Sequence, residues 1–77
     1  MPPKLRDVSG RECVKILCNK FGFRVVRQRG SHIVLRKDVP LGAIGTVVPD
    51  HDVIKHGTLK SILRLARVSE DDFLKEV

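Results

Sequence analysis

Phe23-Arg24-Val25-Val26-Arg27-Gln28-Arg29-Gly30-Ser31-His32-Ile33-Val34-Leu35-Arg36-Lys37 is the stretch whose reading decides the fold. Two strand-like runs, Phe23 to Arg29 and His32 to Lys37, meet at Gly30-Ser31 and predict an antiparallel hairpin. Side chains alternate across a strand, so His32, Val34 and Arg36 share one face and Ile33 and Leu35 the other. The branched aliphatic side is the natural core side. His32 is therefore expected on the open side, at the start of the returning strand, among arginines. An imidazole, which ordinarily titrates near neutrality, suits acid–base chemistry on a phosphodiester when held rigidly in a cationic field.

The rest of the chain extends this hairpin in both directions. Pro2 to Val8 reads as a loose arm. Ser9-Gly10-Arg11-Glu12 has the Ser-x-x-Glu form of a capping box. The helix after it carries Val14, Leu17, Cys18 and Phe21 at the spacing of a buried stripe, and Gly22 is its stop. Asp38 to Gly42 reads as a turn or loop, Ala43 to Val48 as a third strand ended by Pro49, and His51 to His56 as a polar connection. Gly57-Thr58 opens a second helix, with Leu59, Ile62, Leu63 and Ala66 on one face and Lys60, Arg64 and Arg67 on another. Ser69 to Asp72 is a second Ser-x-x-acid cap before a short last helix with Phe73 and Leu74. The order is α-β-β-β-α with a short C-terminal helix, an α+β arrangement. A three-stranded antiparallel sheet with helices on one face leaves its other face available.

Length and charge narrow the function. At 77 residues the chain has room for one small core, and a single domain is expected. The formal charge of +6 points to a polyanionic partner. Residues 1–37 hold ten Lys and Arg against Asp7 and Glu12, whereas residues 38–54 hold Asp38, Asp50 and Asp52 and no Lys or Arg. The basic residues thus gather around the hairpin and the second helix. No charge-free stretch approaches the ~20 residues of a membrane span. Cys13 and Cys18 fall too far apart on one helix to form a disulfide and read as small buried hydrophobes, as suits a reducing cytoplasm.

Gly22-Phe23, Arg27 to His32, Val48-Pro49-Asp50-His51 and Gly57 to Leu63, in this order and spacing, resemble the HicA toxin family over nearly the whole chain, taken as one HicA-like domain over residues 1–77. The family comprises small mRNA interferases of type II toxin–antitoxin systems. The resemblance implies a fold like the double-stranded-RNA-binding domain, messenger RNA as substrate and a HicB-type antitoxin as protein partner. It also implies cytoplasmic growth arrest and a catalytic histidine in the Gly-Ser-His motif, here His32. His51 matches a recurring family histidine and is a candidate supporting residue.

RNA carries its own nucleophile, the 2′-hydroxyl, so cleavage without metal or small-molecule cofactor is expected. His32 would act as base or acid, with Arg27, Arg29, Ser31, Arg36 and Lys60 as RNA contacts. With no Trp or Tyr, and with Phe21, Phe23 and Phe73 assigned to the core, recognition should rest on backbone and shape. Plainer readings stand beside these. His32 could simply complete a hairpin, Ser31 a turn, and Lys60, Arg64 and Arg67 a solvated helix face. His51 and His56 beside Asp50 and Asp52 invite a metal, but lack a third convincing ligand. As whole-protein alternatives, the chain could be a non-catalytic RNA-binding module or a basic surface for an acidic protein.

Overall fold

The structure, a computed structural model, describes residues 6–77. Its elements are α1 (Gly10–Phe21), β1 (Arg24–Arg29), β2 (His32–Val39), β3 (Gly42–Pro49), α2 (His56–Ala66) and α3 (Glu70–Leu74). The three strands form one antiparallel sheet in the order β1-β2-β3. The core lies on one side of it, between Phe23, Ile33, Leu35 and Val48 and the inward faces of the helices. This is the expected α+β arrangement, consistent with a double-stranded-RNA-binding-domain-like fold.

Local chemistry sets the helix ends. Ser9 Oγ accepts from the Glu12 amide at 3.0 Å, half of the anticipated capping box. Gly22 closes α1 in the left-handed conformation at φ 77°, with Phe23 N–H donating to Leu17 O at 3.1 Å. Ser69 Oγ likewise accepts from the Asp72 amide at 3.0 Å and starts α3. That short helix drives Phe73, fully buried, into the core. In α2 the inward stripe is Leu59, Ile62, Leu63 and Ala66, as the spacing predicts. Thr46, the one buried polar residue of β3, ties the sheet to that helix by donating to Ile62 O at 3.0 Å.

Four expectations need correction. The first concerns the arm. Residues 1–5 lie outside the described part of the chain, but Val8 is a core residue, 1 % exposed, and its carbonyl accepts from Ile54 N–H at 2.8 Å. The same bond overturns the polar reading of His51 to His56, because Ile54 is completely buried. Two adjacent aliphatic residues, Val53 and Ile54, in a polar run carry no periodicity from which to read that the second is buried and the first exposed.

The third correction is the rotation of α1. Its buried line is Gly10, Cys13, Ile16 and Leu17, with Val14, Cys18 and Phe21 only partly buried on its flank. Close approach at the helix start explains the turn. A Cβ at Gly10 would collide with Pro49 O, and Gly10 N–H donates to His51 O at 2.8 Å. Burial pushes the Cys13 thiol up to about 12, so it stays protonated and unreactive. Finally, the loop over Asp38 to Gly42 shrinks to Pro40-Leu41. Asp38 and Val39 continue β2, pairing with Ala43 and Gly42 of β3.

Gly10→Ala should therefore destabilise the fold by about 1–3 kcal/mol, the cost of forcing a methyl into a filled contact. The check is a urea titration, in which the midpoint falls while the slope stays constant.

Candidate active site and nucleic-acid interface

The hairpin turn at Gly30-Ser31 builds one end of the site. Gly30 takes φ 56° while Ser31 stays in the ordinary region, the residue pattern of a tight II′ turn whose twist matches its strands. Arg29 pairs with His32, and His32 with Pro49. The three therefore lie in one row across the sheet. Asp50 N–H donates to Ser31 O at 2.6 Å, clamping the turn to the end of β3. Beyond it, the backbone of His51 is held by Gly10 and by its own bond to Pro49 O at 2.9 Å. Asp50 also faces Arg11 at 3.6 Å.

These anchors open a cleft of about 500 Å³ lined by His32, Val47, Pro49, His51, Val53, Lys55 and Thr58. Both histidines expected at the site thus border one cavity, although eighteen residues of chain lie between them. Both are exposed, as are Lys55 and Thr58 from the start of α2. Neither Lys55 nor Thr58 was singled out from sequence; in a one-dimensional reading a lysine before a helix looks like any solvated cation. Lys60, a sequence candidate, is exposed one turn further along α2 and does not line the cleft. His56 is also outside it, and its Nε2 meets Asp7 Oδ1 at 3.1 Å. Among the described residues no group of three or more His, Cys, Asp or Glu is placed to hold a metal.

The open sheet face carries the arginines. Arg27 pairs with Val34, and Val34 with Val47; Arg24 pairs with Arg36, and Arg36 with Gly45. Strict alternation from Arg27 and Arg29 would turn Arg24 toward the core. The register instead slips between Val25 and Arg27. A bulge inserts one unpaired residue and resets the alternation, so Arg24 joins Arg27 and Arg29 on the open side. There the four arginines divide. Asp38 takes a bond from Arg24 Nη1 at 2.7 Å and another from Arg36 Nε at 3.1 Å. Among the described residues, Arg27 and Arg29 have no carboxylate partner within 4.0 Å. Arg36, counted from sequence as a free contact, is already engaged. Arg67 also leaves its expected face, because it caps α2 in the left-handed conformation at φ 57°.

The aromatic residues supply no exposed platform. Phe23 and Phe73 are buried, Phe21 is half-buried, and Lys37 Nζ covers the Phe23 ring at 5.9 Å from its centroid. The cleft walls are instead aliphatic, from Val47 and Val53, which are 42 % and 56 % exposed.

A small basic α+β protein with a histidine-lined cleft beside an arginine-bearing open sheet defines the class. Comparison with known families agrees, since the family model described as the HicA toxin of bacterial toxin–antitoxin matches residues 10–68. That match spans well over half of the chain, and the protein belongs to the HicA toxin family. Searches of curated proteins and of solved structures returned no significant match. No helix among the described residues is long and apolar enough to cross a membrane.

The Arg24 side-chain bond and charge, reinforced by Arg36, hold the Asp38 carboxyl below its ordinary value of 3.8. Its folded-state pKa is lowered, so its contribution to stability is present above 3.8 and disappears as pH falls through the depressed value. Following the Asp38 side chain by NMR in an acid titration should give a midpoint below 3.8 in the native chain. In Arg24→Ala that midpoint should move up toward 3.8.

Proposed function

We propose that this toxin is an endoribonuclease that cuts messenger RNA in the cytoplasm, with His32 as its catalytic acid–base group. The single observation that carries the reading is the convergence of His32 and His51 on one cleft, with Arg29 the strand partner of His32 and Arg27 the partner of Val34 on the same sheet face. RNA cleavage by its own 2′-hydroxyl needs a proton removed from that oxygen, charge neutralised on the phosphorus oxygens, and a proton delivered to the leaving 5′-oxygen. The 2′-oxygen–phosphorus bond forms as the phosphorus–5′-oxygen bond breaks, leaving a cyclic phosphate. An imidazole exchanges protons at neutral pH, which is worth roughly 10²–10⁴ in rate.

His32 sits on a strand paired on both sides rather than in a loop, which fixes its backbone and the face from which its ring projects. His51 and Lys55 line the same cleft, where one of them supplies the second proton-handling or charge-stabilising group. Arg27 and Arg29, with Ser31 at the turn, hold the phosphate chain, and Lys60 and Arg36 contribute charge at longer range. With aliphatic walls and no exposed ring, grip comes from the backbone rather than base stacking. This cationic, partly apolar face is also the surface for a HicB-type antitoxin, whose coverage of it would silence the enzyme.

Purified protein and His32→Gln, incubated with end-labelled RNA in EDTA, test the assignment. The wild type is expected to cut, and the variant to lose at least about 10²-fold in rate while keeping its fold and RNA affinity. Equal cleavage by both would remove His32 from the chemistry. Binding without cleavage by either, with divalent metal also added, would leave a non-catalytic RNA-binding module. His51→Gln should cost less than His32→Gln and flatten one limb of the pH–rate profile.

A further inference from the structure

The open face carries one carboxylate among four arginines, and its position along the strand is informative. Asp38 lies six residues along β2 from His32, a distance of about 20 Å at ~3.3 Å per residue. It bonds both Arg24 and Arg36, which face each other across the β1–β2 pair. The bulge at Val26 is what carries Arg24 to this side. Cationic groups therefore run the length of the sheet, but at the Arg24–Arg36 end one carboxylate offsets half of their positive charge. Arg29 and Arg27 are open nearest His32, while the Arg24–Arg36 row is met by a carboxylate that stays ionised at neutral pH.

We propose that Asp38 is a specificity-determining residue that ends the RNA track: it occupies the Arg24 and Arg36 guanidinium groups so that phosphates are gripped only at Arg27 and Arg29, beside His32. This rests on the RNA-cleaving reading above. A phosphate at the Arg24–Arg36 row would have to share both guanidinium groups with Asp38 and would meet its negative charge at close range. A strand lying on the sheet is thus held next to the histidine instead of sliding toward the β2–β3 turn. Removing the carboxylate lengthens the track.

The test measures binding of 2′-O-methyl oligouridylates of increasing length, which lack the nucleophile and so remain uncut. Asp38→Asn, an exposed and isosteric change, should bind the longer oligomers about three- to tenfold more tightly at low salt. Its salt dependence should steepen by about 0.7 in logarithmic slope for each phosphate gained. The length at which affinity stops rising should increase, and adding Arg24→Gln to Asp38→Asn should cancel much of the gain. Unchanged slope and unchanged length limit in Asp38→Asn, with normal binding by the wild type, would overturn the role of Asp38 alone. A gain that survives Arg24→Gln undiminished would overturn it as well. Failure of the wild type to bind any oligomer would overturn the RNA reading and this inference with it.

Discussion

The alternation of β2 is the constraint on which the rest of the molecule depends. Ile33 and Leu35 are 7 % and 0 % exposed, whereas His32 and Arg36 on either side of them are open. Burial of the two aliphatic side chains supplies on the order of 1.5–3 kcal/mol each. A slip of one residue would put Val34 together with either His32 or Arg36 in their places. Because β2 is the central strand, both neighbours inherit its register. Arg29 and Pro49 are then placed beside His32, and Arg27 and Val47 beside Val34. The core and the site are opposite faces of one decision.

A second layer of constraints joins the ends of the chain to that sheet. Val8 and Gly10 are far in sequence from His51 and Ile54, yet the two segments fix one another through the Ile54–Val8 and Gly10–His51 backbone bonds. Their effect is felt at the cleft, since the segment they hold carries His51 and leads into Lys55. In a chain this small each buried residue bears a large share of the stability. The same contacts that complete the core also place the second histidine.

Charge on the open face is organised by pairing rather than by number. The four arginines are not equivalent, because Asp38 bonds two of them and offsets half of their charge, while the other two have no carboxylate partner among the described residues. Exposed ion pairs of this kind add little to stability. Their consequence lies in the potential that an approaching polyanion meets, which is graded toward His32. Membership of a toxin family, an open basic face and a histidine cleft are thus parts of one arrangement.

Much of this could be read from the amino-acid order. Strict alternation in Ile33 to Leu35, helix caps at Ser9 and Ser69, and the i, i+3, i+4, i+7 line of Leu59, Ile62, Leu63 and Ala66 are local signals that packing had no reason to overrule. They determined the element order, the sheet and the exposed position of His32. Tertiary structure decided what depends on contacts between distant residues. The rotation of α1 follows from how closely Gly10 meets Pro49, and Ile54 and Val8 are buried because each bonds the other's segment. The bulge at Val26 turns Arg24 outward, and Asp38 then bonds both Arg24 and Arg36. Lys55 and Thr58 join His32 and His51 only where β3 and α2 meet. Sequence periodicity reports which face a residue occupies, but the residues that gather across a cleft are set by how whole elements pack.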